Sequence, residues 1–136
     1  MEFGIIFPTK IDDWQLVVDA EALGYDRAWV PDSQMLWSDC YATLALAAEH
    51  TSRIQIGTGV SIPRTRIAPV TAHSIASIYR LAPGRVFLGL GTGHTAMRVM
   101  GMKPQKIEEF REYVNVVRKP LRGDEVEYTL DEISRP

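Results

Sequence analysis

Four short apolar runs punctuate the chain, at residues 3–7, 27–30, 54–60 and 86–90, each closing on small or polar residues and separated from the next by a helix-patterned stretch. A strand, a helical crossover and another strand make a βαβ unit, whose connection is right-handed and whose strands pair in parallel. The alternation therefore confines the chain to an α/β fold built on a parallel sheet. In such folds the loops at the carboxyl ends of the strands carry the chemistry. Function is expected at Pro8, from Pro31 to Gln34, from Gly59 to Ile62, and in the run Gly91-Thr92-Gly93-His94.

The helical stretches have recognisable ends. Leu16, Val17, Ala20 and Leu23 form a stripe on a helix that starts at Asp12 or Asp13, with Asp12 as N-cap and Gly24 as the stop. A second helix, alanine-rich on one face, begins near Ser38-Asp39 and reaches His50. The third starts at Pro69, a favourable first-turn residue, and ends before Pro83-Gly84. Residues 95–101 form a short helical turn. A long helix over 106–121 follows, with Ile107, Phe110, Val114 and Val117 on one face. Pro120 removes a backbone donor and crowds the preceding turn, so the helix is expected to distort or end there. The tail holds a short extended piece at residues 126–128.

With 136 residues the chain is one domain at most, and large enough for a core. A net charge of −2 provides neither the basic field that nucleic acid requires nor an acidic tail. The run Arg118-Lys119-Pro120-Leu121-Arg122 reads as a helix C-terminus favoured by its dipole. A single cysteine, Cys40, excludes an internal disulfide framework and suits a reducing, cytoplasmic setting. Cys40 is read as a packed, inert thiol. No stretch approaches the ~20 apolar residues that span a bilayer, and the first residues run into a strand without a basic region or cleavage site.

The residues that bear chemistry are few. In Gly91-Thr92-Gly93-His94 the glycines let backbone approach a ligand, Thr92 offers a hydroxyl, and His94 can carry a proton near neutral pH. His50 is read as capping a helix end and His73 as lying on an outer helix. Arg64 and Arg66 fit either attraction of an anionic cofactor or solvated loop charge. Gly89, Gly91 and Gly93 do not have the dinucleotide spacing and follow the fourth strand rather than the first. Neither a Cys/His zinc cluster nor a hydrolase nucleophile elbow is present, and no metal is expected.

Three segments carry a family resemblance: GYDRAWVPDS (residues 24–33), SRIQIGTGVSIPRTRIAPVTAHSIASI (52–78) and PGRVFLGLGTGHT (83–95). In that order they resemble the luciferase-like monooxygenases, a superfamily of FMN-dependent monooxygenases and deazaflavin-dependent dehydrogenases and reductases. The resemblance implies a (β/α)8 TIM-barrel fold, of which residues 1–136 supply the amino-terminal half, the first four βα units. It also implies FMN or 8-hydroxy-5-deazaflavin (factor 420) as cofactor, and a small organic substrate. By resemblance the Gly59-Val60 peptide is cis and supports the cofactor ring, Asp32 bonds the ring's polar edge, and Ser33, Gly91, Thr92 and Gly93 line the cofactor site. Asp32 and His94 are the catalytic candidates; Asp32 as an N-cap or turn residue is the plain alternative. Ser33 stands where deazaflavin relatives often carry a histidine for proton transfer, which puts that role in doubt here.

A full barrel takes roughly 250 residues, so four strands leave edges and one apolar face uncovered. A homo-oligomer or a separate carboxyl-terminal half is expected to cover them, over inner-face residues such as Ile6, Val30, Ile56 and Leu88 or their alternating neighbours; truncation of a longer chain is the third explanation. The functional expectation is redox chemistry as an FMN-dependent monooxygenase or, alternatively, as a deazaflavin enzyme that transfers hydride. A non-catalytic half-barrel assembly module is the reading from another class. A flavodoxin-like doubly wound domain is disfavoured, because Pro8-Thr9-Lys10-Ile11 is not a hydroxyl- and glycine-rich phosphate loop.

Overall fold

The computed structural model describes the backbone of residues 1–130 and 133–135, and the side chains of residues 1–129. Strands β1 (Gly4–Ile6), β2 (Arg27–Val30), β3 (Gln55–Ser61) and β4 (Val86–Leu90) form one parallel sheet in the order β1-β2-β3-β4. Helices α1 (Gln15–Ala22), α2 (Cys40–His50) and α3 (Ala68–Leu81) are the crossovers. After β4 come α4 (His94–Val99), α5 (Ile107–Leu121) and an antiparallel hairpin of β5 (Tyr128–Leu130) and β6 (Ile133–Arg135).

Most helix ends follow the sequence. Asp39 caps α2, accepting from the Tyr41 and Ala42 amides, and Pro69 lies in the first turn of α3. Gly24, at φ +89°, closes the α1 region in the left-handed conformation. The start of α1 is a correction: Ile11–Trp14 is a 3-10 turn, α1 begins only at Gln15, and Asp12 is not its N-cap. The fourth helix starts one residue earlier than expected, at His94, and the tail strand begins at Tyr128. Helix α5 carries Pro120 inside its last turn and ends at Leu121. Among the described residues no helix is long and apolar enough to cross a membrane.

The core lies between the sheet and its helices. Val30 and Ile56 from the strands, Ile54 just ahead of β3, and Val17, Leu44 and Ala47 from α1 and α2 are fully buried there, with Leu88 packed against them. Complete burial of such side chains is worth about 1.5–3 kcal/mol each. This resolves the inner-face expectation, which left the parity open: Val30, Ile56 and Leu88 face the helices. Their neighbours Trp29, Gly57 and Phe87 line the opposite face, in register with Ile6. Ile6 alone of the four named residues lies on the open face, and it is 64% exposed. Where both faces of a strand are apolar, composition does not say which parity looks inward.

Candidate active site

Asp32 follows β2 and is almost fully buried. Its Oδ2 accepts from the Ser61 hydroxyl at 3.0 Å and pairs with the Arg66 guanidinium at 2.8 Å; its Oδ1 accepts from the Gln34 amide at 2.6 Å. Ser61 ends β3 and is itself held by the Tyr41 hydroxyl from α2, at 3.0 Å. Hydroxyls thus point in sequence from Tyr41 to Ser61 to the carboxylate. The second guanidinium nitrogen of Arg66 pairs with Asp39, and the guanidinium lies 4.7 Å from the centre of the Tyr41 ring. Asp32 is therefore neither an N-cap nor a turn residue; Asp39 takes the capping role.

Charge and burial oppose each other here. Burial works against the Arg66 cation, but Asp32 and then Asp39 outweigh it and raise its pKa. Burial pushes the Tyr41 phenol and the Cys40 thiol well above their usual ranges. Cys40, fully buried at the start of α2, is a packed thiol in accord with its sequence reading. Of the two arginines after β3, Arg64 is exposed, whereas Arg66 is neither solvated nor free to attract an anion.

The end of β3 is irregular. The Gly59-Val60 peptide is cis, as the resemblance implied, and the β3–β4 register shifts between Thr58 and Ser61. Val60 emerges 42% exposed. A Cβ on Gly91 would lie 2.7 Å from Val60 Cγ2, so only glycine lets the loop after β4 pass so close. The Gly91 amide donates to the Ser61 carbonyl at 3.1 Å, tying the ends of β3 and β4 together. Gly93 adopts φ +82° against Met97 and Ile62, and the Thr92 carbonyl accepts from the Gln105 amide.

The sequence candidates thus fall into two groups. Asp32, Val60 and Gly91 are joined through Ser61 or through direct contact, at the carboxyl ends of β2, β3 and β4. His94 is exposed at the first position of α4, and Ser33 is half-buried beside Asp32. His50 bonds the Leu46 carbonyl and stacks on Trp14 at 4.1 Å, a structural role, while His73 is exposed on α3. The segments expected to carry function included Gln34 and Ser61 but gave them no role; sequence reasoning missed Tyr41, and missed that Ser61 and Arg66 pair with Asp32. No local signal links residues 34 positions apart. A cavity of about 580 Å³ lies elsewhere: it runs beside the edge of β4 that is unpaired among the described residues, between α3 and Pro120-Leu121 of α5.

A family model described as luciferase-like monooxygenase matches residues 1–134. The chain belongs to this family. It is 39% identical over 114 residues to the 5,10-methylenetetrahydromethanopterin reductase of Methanolobus tindarius, an alignment that covers 82% of this chain and 34% of the relative. It is 38% identical over 129 residues to the F420-dependent glucose-6-phosphate dehydrogenase of Mycobacterium avium, covering 84% and 38%. The chain thus spans little more than a third of these relatives. The coenzyme F420-dependent tetrahydromethanopterin reductase of Methanopyrus kandleri superposes with a TM-score of 0.83 at 27% identity, over 99% of this chain and 44% of that one. The FMN-bound oxygenating constituent of 3,6-diketocamphane monooxygenase from Pseudomonas putida superposes at 0.80 over 99% and 43%; at 20% identity it speaks for the fold alone. The sheet is accordingly part of a TIM-barrel-type fold.

Proposed function

We propose that this chain supplies the amino-terminal half of a deazaflavin-dependent oxidoreductase. One observation carries the reading: at the carboxyl end of β2 the buried Asp32 carboxylate adjoins the Gln34 amide, whose Oε1 is buried without a partner among the described residues. An unpaired buried acceptor costs about 1–3 kcal/mol, and a ligand N–H would satisfy it. The polar edge of a flavin or deazaflavin offers such a donor between two carbonyl oxygens. The residues present fit the group. The 35–38% identity to F420-dependent dehydrogenases favours the deazaflavin over FMN.

Asp32, Gln34 and Ser33 would hold the polar edge, Gly59 and Val60 would support the ring, and Gly91, Thr92 and Gly93 would bring backbone close to it. The bound deazaflavin supplies a ring carbon that gives or takes a hydride. His94, exposed at the start of α4, would exchange a proton with a small-molecule substrate. The remaining wall of the site and the cover of the open face would come from further barrel strands, whether of the same chain, of another copy or of a separate carboxyl half. Titration of the assembled protein with F420 and with FMN, followed by absorbance, tests the reading. Stoichiometric F420 binding with weaker FMN binding is expected; FMN preference moves the protein to the monooxygenase branch, and binding of neither overturns both.

A further inference from the structure

The Asp32 cluster contains one element that the cofactor reading does not need, yet on which its geometry depends. Arg66 lies in the loop between β3 and α3, its side chain only 15% exposed, and it forks across two carboxylates from different segments. Its carbonyl accepts from the Tyr113 hydroxyl of α5 at 3.0 Å, and Tyr113 in turn is bonded to Thr71 of α3 at 2.6 Å. The backbone of Arg66 is therefore clamped by α5, while its guanidinium grips Asp32 just beyond β2. A planar guanidinium suits such a fork, because its donors are fixed relative to one another.

The two Asp32 oxygens are unequal as a result. Oδ2 takes both Ser61 and Arg66; Oδ1 takes Gln34 alone and retains acceptor capacity. We infer that Arg66 is a positioning residue that fixes the Asp32 carboxylate with Oδ2 as its anchor and Oδ1 as the oxygen offered to a bound ligand, and that α5 sets this orientation through Tyr113. The assignment rests on the deazaflavin-site reading for the identity of the ligand, but the anchoring itself does not. A freely rotating carboxylate would present either oxygen and would lose orientation entropy on each binding event.

The test has two arms on the full, assembled protein. In a crystal structure of Arg66→Ala the 3.0 Å contact between Asp32 Oδ2 and Ser61 should be lost; its retention overturns the inference whatever the protein binds. In titrations with F420, Arg66→Ala should weaken binding roughly tenfold or more, and methylguanidine should restore it. A purely structural role would lower thermal stability without that rescue, and absence of rescue overturns the inference. If Arg66→Ala does not fold, Arg66→Lys serves: its single ammonium cannot fork to Asp32 and Asp39, so an intermediate loss is expected, and wild-type affinity would overturn the inference. Failure of the unaltered protein to bind F420 or FMN would defeat the cofactor reading, and the Asp32–Ser61 contact would still decide the anchoring.

Discussion

The two faces of the sheet follow different rules. On the helix side, β-branched residues from β2 and β3 interlock with α1 and α2, and the largest of them show no exposed surface. On the open side the strands carry glycines under two aromatic rings. A Cβ on Gly4 would lie 2.0 Å from the Trp29 ring, and one on Gly57 would lie 2.4 Å from the Phe87 ring and 2.2 Å from its carbonyl. Those rings meet at 5.5 Å and 60°. The helix side is a finished core packed at its natural density. The open side is a floor shaped for something laid upon it, with Ile6 and Val60 uncovered. Stability should therefore respond to changes on the first face and assembly to changes on the second.

The largest effect should come from the finished face. Ile56→Ala removes a fully buried side chain and should destabilise the fold by about 2–5 kcal/mol in a denaturant titration, a large part of a typical ~5–15 kcal/mol. A loss below ~1 kcal/mol would mean that this face is not the core. Gly57→Ala probes the other face. The new methyl must displace either the Phe87 ring or the β4 backbone, and a cost of about 1–3 kcal/mol is expected. The cost should fall in Gly57→Ala/Phe87→Leu if the ring is what yields.

Glu21 gives a smaller, pH-dependent contrast, at the amino ends of the strands. Its carboxylate accepts from the Ser52, Arg53 and Ile54 amides ahead of β3. Burial alone would raise its pKa, but the Ile54, Ser52 and Arg53 hydrogen bonds outweigh that and hold it below the usual glutamate value. A depressed folded-state pKa stabilises above the unfolded value and is lost as pH falls through the folded one. Thermal melts should therefore show wild type losing more stability than Glu21→Gln as pH drops below the usual glutamate range, with the two converging in acid. Parallel curves would remove Glu21 as the latch.

Much of this was legible in the sequence, and the reason differs from part to part. The strands and crossovers declare themselves locally, through apolar runs of strand length and through caps such as Asp39, Pro69 and Gly24. The start of α1 did not, because Asp12 sits in a 3-10 turn whose residues satisfy the same local preferences as a first helical turn. The face taken by Val30, Ile56 and Leu88 stayed open between them and their alternating neighbours, because strands that are apolar on both sides carry no parity signal. In the candidate site, Asp32 and the Gly59-Val60 bulge could be placed by resemblance. The pairing of Asp32 with Ser61 and Arg66 could not: they stand 29 and 34 residues away in sequence, and only the fold brings them to the carboxylate.

The smallest effect on stability should come from Ile6, and it separates the two faces most cleanly. Ile6 is 64% exposed, so Ile6→Ser removes little buried surface from one chain. Its unfolding free energy should stay within about ±0.5 kcal/mol of wild type when the chain is alone. If the open face is covered by a second half-barrel, the same residue lies inside the closed structure, and a serine hydroxyl there would have to find a partner or cost free energy. Solution mass measured against concentration should then show weaker association for Ile6→Ser than for wild type, with the isolated fold unchanged. Unchanged association would exclude this face from the contact. Loss of stability in the isolated chain would instead mean that residues of the same chain fold over Ile6, and the division between a finished and an unfinished face would fail.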